Sequence, residues 1–233
     1  MNPILITGVG QRVGLHLART FVGRGQSVIG TYRSDRDTID ELKQLGVELH
    51  RCDFNEDAQV QALIDDIAAK YSGLRAIIHN ASDWLPDKAD YPPEDILRRM
   101  MAVHVSAPYR INLGLADLLK AGAPADIVHI GDYVSGRGSK KHVAYAASKA
   151  AQDNLTLSFA ALLAPDIKVN TVAPALVLFN EDDDAEYREK TLRKSLMQRE
   201  GGLDEMQHQV DYLLDSNYVT GRIIHMDGGR HLI

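Results

Sequence analysis

Short apolar runs alternate with longer segments whose apolar residues recur at helical spacing. Pro3–Thr7 is an apolar run stopped by Gly8, the signature of a short buried strand. In Gln11–Val22, Val13, Leu17 and Phe21 fall on one helical face, and Leu15 and Val22 widen it. The same alternation predicts strands at Ser27–Tyr32, Val47–Cys52, Leu74–His79, Asp126–Ile130, Lys168–Ala173 and Arg222–Met226. Between them it predicts helices at Thr38–Leu45, Glu56–Tyr71, Pro93–Leu119 and Ala144–Leu163. Pro108 lies inside the long third helix, where a missing N–H and a crowding ring predict a kink.

The strands are continuous apolar runs, as expected when both faces of a sheet are covered. Strands alternating with helices imply βαβ units, hence an α/β fold with a doubly wound parallel sheet of about seven strands. The irregular stretch is 174–202, where the acidic run Glu181–Asp184 precedes the basic-rich Arg188–Arg199. It reads either as a solvated helix pair or, because it follows the sixth strand, as a lid.

Composition narrows the class. A chain of 233 residues with 45% hydrophobic and 25% charged residues is an ordinary globular protein, so disorder and repeats are excluded. The length fits a single domain over 1–233. A net charge of −6 gives no basis for general nucleic-acid binding. No apolar run approaches the ~18 residues of a membrane span. Met1–Thr7 has no basic segment typical of a secretory signal. Cys52 is alone, so no internal disulfide forms, and its apolar flanks predict a buried thiol. These features point to the cytoplasm. The histidines and carboxylates show no metal-ligand spacing, so no metal is expected.

Chemistry gathers at two ends of one candidate site. Thr7-Gly8-Val9-Gly10-Gln11-Arg12-Val13-Gly14 sits between a strand and a helix. Glycines there allow a tight turn and close backbone approach, and the helix N-terminus favours a pyrophosphate. The second strand ends in Tyr32-Arg33-Ser34 where an NAD site usually has an acid. A cation and a hydroxyl suit a 2′-phosphate, with Arg12 as a second cation nearby, so NADPH is favoured over NADH. Asp35 is either a decoy acid or the start of the next helix. Asp53, followed by Phe54, is placed for the adenine edge, and Asn80-Ala81-Ser82 lies where small residues let the backbone approach a cofactor. At the other end, Tyr145 and Lys149 share a helix face, and a nearby ammonium would lower the phenol's pKa.

With Val169-Asn170, Pro174, Thr220-Gly221 and Met226-Asp227-Gly228-Gly229, these motifs resemble the short-chain dehydrogenase/reductase family over essentially the whole chain. The resemblance implies a Rossmann-type sheet with no separate substrate domain. Three departures resemble the pteridine reductases: Arg12 before Val13-Gly14, Asp132 in place of the usual serine, and Ser82 followed by Trp84. That subgroup implies NADPH-dependent reduction of a dihydropterin such as 7,8-dihydromonapterin, with hydride passing to C6 and a proton to N5, and dihydrofolate as a slower substrate. It further implies catalytic roles for Tyr145, Lys149 and Asp132, and a cofactor site that includes Pro174. The substrate would meet Arg12, Ser82, Asp132 and Tyr145, with Trp84 as a stacking wall opposite the nicotinamide. The 174–202 segment would be its lid, with Tyr187, Arg188 and Leu196 as candidate contacts. His104 stands where the family holds a water with asparagine, and it reads either as a proton relay or as a buried structural imidazole. Lys140, Lys141 and His142 would meet a substrate tail or simply be solvated. The family also implies a homodimer or homotetramer built on the long helices. The alternatives are a carbonyl reductase of another small ketone and an NADPH sensor without turnover.

Overall fold

The computed structural model describes residues 2–233. Seven parallel strands lie in the order β3-β2-β1-β4-β5-β6-β7. They are β1 (Ile4–Ile6), β2 (Val28–Tyr32), β3 (Glu48–Arg51), β4 (Ala76–His79), β5 (Ala125–Ile130), β6 (Ile167–Pro174) and β7 (Ile223–Met226). The helices are α1 (Arg12–Gly23), α2 (Asp37–Gln44), α3 (Asp57–Lys70), α4 (Pro93–Met101), α5 (Ala107–Gly114), α6 (Ala116–Ala121), α7 (Val143–Leu163), α8 (Ala185–Leu192) and α9 (Leu203–Asp215). The Rossmann-type, doubly wound α/β reading therefore holds.

Alternation along each strand divides the core. Leu5, Ile77, Ile127 and Val169 face α3, α5, α6 and α7, where Ile64, Ile111, Leu119 and Phe159 meet them. Ile4, Ile6, Ile78, Val128 and Val172 face α1, α2 and α9, packed on Leu17, Leu42 and Val210. Cys52 belongs to the first of these cores, and burial pushes its thiol up to about 11.

A buried ion cluster closes the N-terminal edge of the sheet. The Asp126 carboxylate accepts from both Arg75 and Lys168, one on each neighbouring side of β5. The same cations donate to Leu214 O (2.6 Å) and Leu213 O (2.9 Å), carbonyls in the last turn of α9. Those carbonyls lack intrahelical partners, so the cluster also caps α9.

The long helix expected over Pro93–Leu119 is instead broken into α4, a π turn at Ala102–Ser106, α5 and α6. The widening lies before Pro108 because the proline ring crowds the carbonyl four residues back, that of His104. The Ala107 N–H bonds the Ala102 carbonyl instead, one residue farther than in an α-helix. The 174–202 stretch holds one helix, α8, rather than a pair. Asp184 caps it, accepting from the Tyr187 N–H at 2.7 Å.

Candidate functional site

The carboxyl ends of β1, β4, β5 and β6 open into a cleft of about 600 Å³ at the point where strand order reverses. It is lined by Gly8, Gly10, Arg12 and Val13, by Tyr32, Arg33 and Ser34, by Asp53 and Phe54, and by Asn80, Ala81, Ser82 and Trp84. Asp132, Tyr145, Lys149, Pro174, Asn180 and Tyr187 complete it. Of the predicted catalytic and cofactor residues, only Gly14 is absent from the lining, for a packing reason.

A Cβ on Gly14 would sit 2.2 Å from Gly8 O and 2.4 Å from Asn80 Nδ2. That space is taken by the loop's own brace, since Asn80 Nδ2 donates to Thr7 O and Gly8 O, each at 3.0 Å. Thr7 Oγ1 accepts from the Asn80 and Ala81 N–H groups at 3.0 and 2.9 Å, hooking the end of β1 to that of β4. Gly8 has φ +73°. No side chain caps α1, so its first-turn N–H groups are available to an anion.

Arg12 departs from expectation. Its φ is +52°, and its guanidinium reaches Asn180 Oδ1 and Leu178 O, each at 2.8 Å. It therefore ties the glycine loop to the 174–202 segment instead of standing free for a phosphate. Arg33 pairs with Asp83 at 3.1 Å at the rim. Asp35 is exposed and faces Arg51 at 3.8 Å, outside the cleft.

At the reaction end, the Tyr145 hydroxyl donates to Asp132 Oδ2 at 2.8 Å. Asp132 Oδ1 accepts the Val134 N–H at 2.9 Å, which fixes the carboxylate. Burial raises the Asp132 pKa, against these hydrogen bonds and the charge of Lys149. Burial and then the Asp132 charge raise the Tyr145 pKa as well. This runs opposite to the lowering expected from Lys149 alone, because burial is the larger effect. Lys149 Nζ is 5.8 Å from the phenol ring centre and bonds Ile130 O (2.9 Å) and Gln152 Oε1 (3.3 Å). Burial brings the Lys149 ammonium down to about 8.

Trp84 is 61% exposed, with one face stacked on His142 at 4.1 Å between ring centres. His142 thus steadies the indole, while Lys140 and Lys141 stay exposed. Tyr187 lines the cleft, but Arg188 and Leu196 do not. Arg188 is spent within its own segment on Asn180 O and Asp183 O, each at 2.7 Å, and Leu196 packs on Gly229. His104 is fully buried and holds Ser82 and Ser148 rather than serving Lys149.

Residues 8–231 match the family described as enoyl-(acyl carrier protein) reductase. The chain is 51% identical over 232 residues to the dihydromonapterin reductase of Escherichia coli O6:K15:H31 (strain 536 / UPEC), covering 99% of this chain and 97% of that protein. It shares the same identity and coverage with the dihydromonapterin reductase of Shigella boydii serotype 4 (strain Sb227). The chain belongs to the short-chain dehydrogenase/reductase family. A solved family member, FolM alternative dihydrofolate reductase 1 from Brucella suis in complex with NADP, superposes with TM-score 0.86 at 27% identity, over 100% of this chain and 96% of that one.

Against the family pattern, sequence reasoning missed three residues of this site. Asn180 holds Arg12, Gln152 holds Lys149, and Ser148 holds His104. The signal for the last two was faint but present: both are polar positions on the buried face of α7.

Proposed function

We propose that this protein reduces a 7,8-dihydropterin with NADPH, hydride entering at C6 and a proton at N5. The favoured substrate is 7,8-dihydromonapterin, with dihydrofolate slower. The observation that carries the reading is the Tyr145–Asp132 pair. Both groups are buried and hydrogen-bonded to each other, and burial keeps the proton on the Tyr145 hydroxyl beside the cleft. A reduction at a ring C=N needs such a donor. Half-identity along the whole chain to dihydromonapterin reductases supports the substrate class.

The residues present fit NADPH. Gly8, Gly10 and the uncapped α1 end form a cradle that a Cβ at Gly14 would destroy. Arg33 and Ser34 stand at the rim where a 2′-phosphate needs a cation and a hydroxyl. When bound, the cofactor supplies the hydride. Lys149, with Ile130 O and Gln152 fixing its ammonium, would hold the nicotinamide ribose. Tyr145 would donate its hydroxyl proton to N5 and recover it from Asp132. Trp84, braced by His142, would cover one face of the substrate ring. The 174–202 segment would act as the lid, latched by Arg12 through Asn180 and Leu178. Exposed Leu97, Tyr109, Leu113, Leu157 and Leu162 on α4, α5 and α7 support a homo-oligomer built on these helices.

Steady-state rates with 7,8-dihydromonapterin, dihydrofolate and a panel of small ketones test the reading. Dihydromonapterin should have the highest kcat/KM. Turnover of ketones with none of either dihydropterin overturns it. For the cofactor, Arg33→Ala should raise the KM for NADPH about 10- to 100-fold, the loss of one charge-assisted contact. The KM for NADH should change by less than about twofold, because no 2′-phosphate is lost. Equal effects on both would remove the phosphate role of Arg33.

A further inference from the structure

One buried polar chain in the site has no part in the chemistry above. Ser148 Oγ lies 2.7 Å from the Tyr145 carbonyl, His104 Nδ1 lies 2.8 Å from Ser148 Oγ, and His104 Nε2 lies 2.8 Å from Ser82 Oγ. Its proton positions follow from one end. A carbonyl only accepts, so the Ser148 hydroxyl donates to Tyr145 O. Ser148 Oγ has then used its one proton, so it accepts from His104 Nδ1–H. In a neutral imidazole the other nitrogen is bare, so His104 Nε2 accepts the Ser82 proton. The other acceptor near Ser82 Oγ, Asp83 O, is farther at 3.4 Å, so the 2.8 Å contact to His104 takes the proton, and Ser82, exposed on the cleft side, turns lone pairs toward the ligand.

We propose that His104 is a positioning residue that fixes Ser82 as a hydrogen-bond acceptor, so that this point of the cleft selects an N–H of the bound ring. The ligand chemistry is a ring or amino N–H of an amide-like heterocycle, which a 2-amino-4-oxo dihydropterin carries and a simple ketone lacks. This rests on the dihydropterin reading and adds a specificity element to it. The π turn places the imidazole between the loop after β4 and helix α7, so it joins the substrate loop to the helix of Tyr145. Burial and the Lys149 charge keep His104 neutral, which holds the polarity of the chain.

The test is a double-mutant cycle on His104→Phe and Ser82→Ala, with Ser148→Ala beside it. Phe fills similar space and makes neither hydrogen bond. Each of the first two variants should raise the KM for dihydromonapterin about 10-fold and lower kcat less than that. The double variant should be no worse than Ser82→Ala, because both remove the same acceptor. Ser148→Ala releases the tautomer while keeping the imidazole, and it should raise KM in the same direction. It carries the test if His104→Phe melts early. The KM for NADPH should not move in His104→Phe. Multiplying effects in the double variant, or an unchanged KM in both His104→Phe and Ser148→Ala, overturns the positioning role and leaves the dihydropterin reading intact. Absence of wild-type turnover of any dihydropterin overturns both.

Discussion

Tyr145→Phe should lower kcat for dihydropterin reduction by about 10²- to 10⁴-fold, the range for loss of a positioned general acid. The NADPH Kd should stay within about twofold, since Lys149 and the glycine loop are untouched. The size of the effect comes from the geometry. The phenol oxygen is 2.8 Å from Asp132 Oδ2, in a pocket where burial pushes both pKa values upward. Ser82 is the neighbouring hydroxyl, and in the proton order proposed above its proton is directed to His104. The pH profile supplies the sign. Asp132 must be protonated to restore Tyr145, so kcat should fall as pH rises through its raised pKa. Above about 8, Lys149 also loses its charge, and cofactor binding should weaken further. Stopped-flow single turnovers separate these steps from product release. A Tyr145→Phe rate equal to wild type would contradict the proton role.

Asp126→Ala should destabilise the fold by about 3–5 kcal/mol, the cost of leaving buried charge without its partner. Asp126 is 1% exposed and receives both Arg75 and Lys168, which are themselves largely covered. Its loss strands two cations and loosens the cap on α9, so the second core also weakens. Against a typical stability of about 5–15 kcal/mol, this is a large share. The cluster lies at the opposite ends of the strands from the cleft, so molecules that remain folded should keep their kcat. Urea unfolding followed by circular dichroism reads the first effect, and active-site-normalised rates read the second. A loss below about 1 kcal/mol would show that the cluster is not a buried load on the sheet.

The strands and most helices were legible because both sheet faces are covered, and covered strands write themselves as apolar runs. The glycine loop, the Tyr145–Lys149 pair and Asp132 were legible because local spacing carries them. The π turn was not. A helix widened by one residue keeps its apolar periodicity, and Pro108 shows only that something yields, not on which side. Arg12 was assigned to phosphate because nothing local reveals that Asn180, 168 residues away, takes its guanidinium. The effect of burial on the phenol is hidden from the sequence for a related reason. The lysine sits on the same helix and was visible, whereas the burial that outweighs it depends on the assembled cleft.

The central claim is hydride delivery to C6 of a dihydropterin, and the most direct measurement is deuteride tracking. Purified protein is supplied with 7,8-dihydromonapterin and NADPH deuterated at nicotinamide C4 on the transferred face, in ordinary water. Mass spectrometry and NMR then locate the label. Tetrahydromonapterin carrying one deuterium at C6, with N5 protonated from solvent, is the result this account predicts. A tetrahydropterin unlabelled at C6, or no tetrahydropterin while NADPH is oxidised with a ketone, would contradict it.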